Sequence, residues 1–190
     1  MPKGISSPVA TLVISQNGPL KRWLDHLHTI LPAQVERHFF FVDTGVALIG
    51  EQVAGHLPLK GFYCAHSHRL HQGPAPLAGM VSGGLLDLGR MVAKSHATLS
   101  LPHTLLPLHY VSDRRSKKIA LLLRQNVEGL RVATGLAGCG HQVTLFHAEP
   151  LSSLPEEAEP YLQTLTALNA RFLPPPSSYT NSRFDLLLAI

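Results

Sequence analysis

Two stretches of this 190-residue chain carry one pattern: LVISQNGPLKRWL (12–24) and LLLRQNVEGLRVA (121–133) each run from an apolar, strand-like segment through Gln-Asn into helical spacing. HFFFVDTGV (38–46) likewise parallels VTLFHAEPL (143–151). A strand followed by a helix of this length, met again and again along a chain, closes as a βαβ unit, because parallel strands need a crossover of a dozen or more residues. The pattern predicts an α/β layer fold with a mostly parallel sheet. Its restart predicts two tandem related units, the second shorter.

The first unit reads Val9–Ser15 as a strand, with a break at Gln16-Asn17-Gly18-Pro19. A helix follows, with Leu20, Trp23, Leu24, Leu27 and Ile30–Leu31 on one face, ended by Pro32. His38–Val42 is a second strand, Val46–Ile49 a short helix and Leu59–Tyr63 a third strand. Ala65–Gln72 supplies one or two helical turns, stopped by Gly73-Pro74. Met80–Val81 is a short strand, Gly84–Lys94 a helix and Ala97–Leu101 the last strand. Prolines then break the pattern across 102–118, a stretch that ends in Arg114, Arg115, Lys117 and Lys118. The units are placed at 1–104 and 117–190, with 105–116 as the linker. In the second, strands are expected at Ile119–Leu123, Val143–Phe146 and Phe184–Ile190, with helices at Glu128–Ala137 and Glu156–Leu168. Its counterpart to the Cys64 region, ARFLPPPSSYT (170–180), has no cysteine and too much proline for a helix. Each sheet is expected to carry helices on both faces, and the units to pack as a pseudo-symmetric pair.

Hydrophobic residues at 45% and charged residues at 15% give material for a core and argue against global disorder. Two cysteines do not make a disulfide scaffold, and free thiols point to a reducing compartment. The apolar run Val9–Ile14 is too short for a signal-peptide core or a membrane span, so the chain is expected to be cytoplasmic, without a membrane partner. A net charge of +4 does not indicate nucleic-acid binding, and Arg114–Lys118 read as the charges of a solvated linker.

The residues richest in chemistry are GFYCAHSHRLHQG (61–73), where three histidines follow Cys64 within seven positions. Cys64 falls at the carboxyl end of the third strand, where ligands gather in parallel sheets. If a helix begins there, its unpaired N–H groups favour the thiolate, which is the nucleophile. Helical spacing would bring His68 and His71 to the face of Cys64, leave His66 pointing away, and let Arg69 add positive potential from the side. Two other readings stand beside this one. Cys64 is a small buried hydrophobe, or Cys64, His68 and His71 are three ligands of a metal or redox site that lacks a fourth. Cys139, between two glycines at a helix end, reads as structural.

Three segments in order resemble the DsrE/DsrF/TusD/TusC sulfur-relay family. FFFVDTGVAL (39–48) resembles the family's Phe-Phe-x-x-Asp-Gly-Val after the second strand, with Asp43 in the acidic place and Thr44 inserted into the spacing. FYCAHSHRLHQG resembles the strand-to-helix segment in which a cysteine precedes a short Arg-containing helix and a glycine, and GMVSGGLLDLGRMVAKSHATLSL (79–101) resembles the closing Ser-Gly, helix and strand. The resemblance covers about residues 9–101, with 117–190 as a degenerate second copy. It implies a flavodoxin-like unit whose cysteine carries persulfide sulfur between a donor and an acceptor protein, with no metal or organic cofactor, in a homo- or hetero-oligomer. The sulfur-accepting role carries over to Cys64 alone. His68 and Arg69 match no fixed residue of the family, and their roles rest on spacing. An inactive scaffold that kept the fold is the alternative.

Overall fold

The computed structural model describes residues 8–52, 60–101, 116–124, 127–175 and 184–190. Its sheets are parallel throughout and alternate with helices, a flavodoxin-like α/β layer fold built of two units. The Gln125-Asn126 of the repeat, Arg114, Arg115 and nearly all of the 105–116 linker lie outside the described residues.

The first unit runs β1 (Val9–Ile14), α1 (Leu20–Ile30), β2 (Glu36–Phe41), a 3₁₀ turn (Asp43–Leu48), β3 (Gly61–Cys64), α2 (Ala65–Leu70), β4 (Met80–Gly83), α3 (Leu85–Lys94) and β5 (Ala97–Leu101). The strand order is β4-β3-β2-β1-β5. The chain therefore adds strands outward from β1 and then returns through α3 to the other side of β1. Right-handed crossovers in opposite directions put α1 and α3 on opposite faces. The pleat sorts the side chains accordingly. Leu12, Ile14, Phe39 and Phe41 pack with Leu20, Leu24 and Leu27 of α1, whereas Val13, Phe40 and Val42 pack with Leu88 and Val92 of α3.

The second unit runs β6 (Lys118–Leu123), α4 (Val127–Gly138), β7 (Gln142–His147), two 3₁₀ turns (Leu151–Ser153, Glu156–Ala158), α5 (Glu159–Ala167), β8 (Arg171–Leu173) and β9 (Leu186–Ala189), in the order β8-β7-β6-β9. β8 falls inside the segment read as proline-rich, ahead of its prolines. The crossovers that carry α4 and α5 run the same way from β6, so these two helices share one face. Ile119, Leu121, Val143, Leu145, Leu186 and Leu188 point to that face and meet Leu130, Val132, Ala133, Leu136 and Leu165. No helix among the described residues covers the other face, which corrects the expectation of helices on both.

The inner face of the second unit and the α3 face of the first form one core. At its centre α3 crosses α4 at close range. A Cβ on Gly89 would strike the Cys139 side chain, and one on Gly135 would strike Leu85. Cys139 is thus a packing residue, its thiol donating weakly to the Leu86 carbonyl at 3.5 Å. The seam is bonded at the amino ends of the strands as well. Buried His141 accepts from the Lys117 backbone N–H at 3.1 Å through Nδ1 and donates to the Gly89 carbonyl at 2.9 Å through Nε2. Lys117, read from the sequence as a solvated linker charge, is itself buried, and its ammonium donates to the Ser95 carbonyl at 3.2 Å. Elsewhere Ser15 donates to the Ala189 carbonyl at 2.9 Å. No helix among the described residues is long and apolar enough to cross a membrane.

Candidate functional site

The position of the sulfur follows from the pleat of a four-residue strand. In β3, Phe62 and Cys64 point to the α3 face and pack in the shared core, while Tyr63 points to the α1 face. The Cys64 side chain is therefore aimed at the second unit. It is 1% exposed, and the Arg131 guanidinium of α4 donates to it, Nη2 to Sγ, at 3.2 Å.

Arg131 is held on the sulfur by Glu128, one turn earlier on the same helix. Nε donates to Glu128 Oε2 at 2.8 Å, and Nη2 to Oε1 at 3.2 Å. Ser67 of α2, fully buried, donates a short hydrogen bond to the same Oε1, so both units grip the carboxylate. Burial pushes the Glu128 carboxyl up, but its hydrogen bonds from Arg131 and Ser67 outweigh that and hold it below the ordinary value. Burial likewise pulls the Arg131 guanidinium down, and Glu128 and the Cys64 sulfur more than offset it, so its pKa lies above the ordinary value. Buried charges in such an arrangement persist because they are paired and hydrogen-bonded.

Beside the pair opens a cleft of about 410 Å³, walled by Asp43, His66, Leu70 and His71 from the first unit and by Val127, Glu128, Arg131, Glu157 and Tyr161 from the second. Arg131 touches both the cleft and the sulfur. Asp43 closes β2 with a positive φ of 51°, a conformation Asp tolerates better than most residues, and its carboxylate meets His71 Nε2 at 3.0 Å. Burial raises the Asp43 carboxyl, with Glu128 adding to the effect and His71 opposing it. His66 stands 3.9 Å from Glu128, and burial, with Arg131 beside it, lowers its pKa.

The helical-wheel expectation is reversed for His66 and His68, while His71 stands on the cleft wall. His66 lines the cleft, whereas His68 turns to the Tyr63 side, where its ring lies 5.1 Å from that of Tyr63 and its Nε2 bonds the Pro74 carbonyl at 3.0 Å. Gly73 leaves the room for it, since a Cβ there would meet the imidazole. The cause is local. Cys64 is still in extended conformation, at φ −69° and ψ 114°, and a strand residue does not share the wheel of the helix it opens. Arg69 is exposed, and the cation on the sulfur is Arg131. α2 has only six residues, too few for a strong helix dipole. Cys64, His68 and His71 take three different partners and do not converge, and no group of three or more His, Cys, Asp or Glu side chains among the described residues is set to hold a metal ion.

The sequence reading did not single out Ser67, Glu128 or Arg131. A signal for the last two exists: Glu128 and Arg131 form an i,i+3 charge pair in VEGLRVATGLAG, a helix otherwise without charge. Compared with known proteins, the chain matches no protein-family model and no curated protein.

Proposed function

We propose that the chain is a cytoplasmic sulfur-relay protein that carries persulfide sulfur on Cys64 between a donor and an acceptor protein, within a homo- or hetero-oligomer. The observation that carries this reading is the guanidinium of Arg131 on Sγ at the carboxyl end of a parallel strand. A thiolate or persulfide anion formed there has its charge met by a fixed cation. The resemblance of residues 9–101 to the sulfur-relay family supports the same reading.

In the transfer, the Cys64 thiolate attacks the outer sulfur of a donor persulfide. The new bond joins the two sulfurs, the donor's S–S bond breaks, and the donor departs as a thiolate. Cys64 then holds S–SH, which an acceptor thiolate attacks in the same way. The sulfane sulfur moves at constant oxidation state, so no oxidant, reductant, metal or organic cofactor enters the balance. Sγ takes its hydrogen bond from Arg131, whereas His68 bonds the Pro74 carbonyl.

The second reading is a scaffold that kept the fold without the chemistry. One observation favours it: Cys64 is buried and does not itself line the cleft. Intact-mass analysis after incubation with inorganic polysulfide separates the two. A carrier gains steps of about 32 Da that reductant removes. Cys64→Ser abolishes the gain, whereas Cys139→Ser and His68→Ala keep it. Equal loading of wild type and Cys64→Ser, or none in either, leaves the scaffold reading.

A further inference from the structure

We infer that the unit without the strand-end cysteine completes the sulfur site in cis, with Arg131 as the catalytic cation that touches the reacting sulfur and Glu128 as the positioning residue that aims it. The inference rests on the reading of Cys64 as the reactive sulfur. It deepens that reading by giving the second unit a chemical role in place of a degenerate one.

The geometry separates the two tasks. Arg131 Nη2 has two acceptors, Cys64 Sγ and Glu128 Oε1, both at 3.2 Å, and Nε is tied to Oε2 at 2.8 Å. A guanidinium has a rigid planar fork, so fixing Nε and one edge fixes the direction of the remaining N–H groups. Glu128 is itself fixed by Ser67 from the other unit. A free arginine side chain samples many rotamers, and this carboxylate removes most of them. Glu128 also has a cost at the sulfur, because its negative charge opposes a thiolate. It therefore acts through geometry and against its own electrostatics, and the two effects can be pulled apart by substitution. Arg131 is also the residue that spans from the open cleft to the buried sulfur, so a polysulfide that reaches Sγ through the cleft passes this cation.

In the step tested, the Cys64 thiolate attacks a terminal sulfur of tetrasulfide dianion, forming Cys-S–S⁻ and releasing trisulfide dianion, with charge and sulfur conserved. The rate of mass gain is followed in the full chain at a temperature well below its unfolding transition. Arg131→Met keeps the cover over the sulfur and removes the charge, and loading slows about tenfold, the loss expected for one hydrogen bond to a charged group. Arg131→Lys restores part of the rate, since it supplies the charge without the fork. Glu128→Gln keeps one of the two acceptors of the guanidinium and sets an amide donor against its other N–H, so it slows loading, though less than Glu128→Ala, even though it deletes the opposing charge. Glu128→Ala frees the guanidinium and slows loading as Arg131→Met does.

Cys64-dependent loading that proceeds at the wild-type rate in Arg131→Met overturns this inference and leaves the proposed function standing. Loading that persists in Cys64→Ser removes both. Should Glu128→Ala fail to fold, Glu128→Gln decides alone: loading at or above the wild-type rate there shows that the two-point grip on the guanidinium is not needed and overturns the positioning role.

Discussion

The two units face one problem, a parallel sheet with two apolar faces, and answer it differently. The first covers its outer face with its own helix, α1, whose Leu20, Leu24 and Leu27 complete a separate core with Leu12, Ile14, Phe39 and Phe41. The second turns α4 and α5 inward and leaves Leu122 and Leu187 half-buried and Leu173 exposed on the face away from the seam. There the Phe146 and Phe184 rings meet edge to face, their centroids 5.8 Å apart. The difference teaches that the seam serves the units unequally. The first brings a core of its own to the junction, whereas nearly all buried apolar side chains of the second belong to the shared core.

The hardest blow to this comparison is to cut the chain. Residues 112–190 expressed alone lose the α3 surface against which Leu130, Val132 and Leu136 are buried, and a unit this small keeps little core of its own. No cooperative urea transition is expected for 112–190, and at most a weakened one for 1–104. A cooperatively folded, monomeric 112–190 would break the asymmetry outright.

A milder test leaves the chain whole and forces the helices apart. Gly135→Leu places a side chain where Leu85 already sits, and overpacking of this kind costs about 1–3 kcal/mol. Gly138→Ala on the same helix meets nothing within 4 Å and gains helix propensity, so its stability changes by no more than about 1 kcal/mol, upward. Urea midpoints read both. Equal shifts for the two glycines would mean that helix propensity, and not the crossing, sets the effect.

The smallest effect is a pH dependence. Burial, with Lys117 nearby, outweighs the hydrogen bond to Gly89 and lowers the His141 pKa below its ordinary 6.5. In the window between the folded value and 6.5, the unfolded chain binds a proton that the folded chain does not. Stability then rises with pH, so acidification from neutrality through that window weakens the fold, by at most about 1.4 kcal/mol per pH unit for one group. His141→Gln is expected to flatten this part of the curve when urea midpoints are compared between pH 7.5 and 5. A variant with the wild-type slope would show that His141 does not titrate on unfolding.

Much of the framework was legible in the sequence, because its strongest signals are local. VATLVI and HFFF are apolar enough to be strands in any context, and the helical spacing of α1 and α3 needs no partner to be seen. β8 was not, since three residues ahead of a proline run leave no period to detect. The seam was not legible either. Its hydrogen bonds join residues as distant in sequence as Ser15 and Ala189, and nothing in a strand's own composition says which face another unit will take. The same limit governed the site. The strand-end place of Cys64 is local and was read. Its partner is 67 positions away and was not, although a charge pair inside an apolar helix is a visible oddity.

β3 is four residues long, and ladders on both sides hold its alignment, Phe62 opposite Phe40 on one flank and Val81 on the other. A slip of a single position would exchange the places of Tyr63 and Cys64, burying a phenol against Arg131 and turning the thiol toward α1. Every residue would still be present, the fold would keep its topology, and the sulfur would stand on the wrong side of the sheet. The backbone ladder thus acts as a phase setting for the chemistry. A one-residue insertion or deletion inside this strand would therefore send the sulfur to the other face of the sheet.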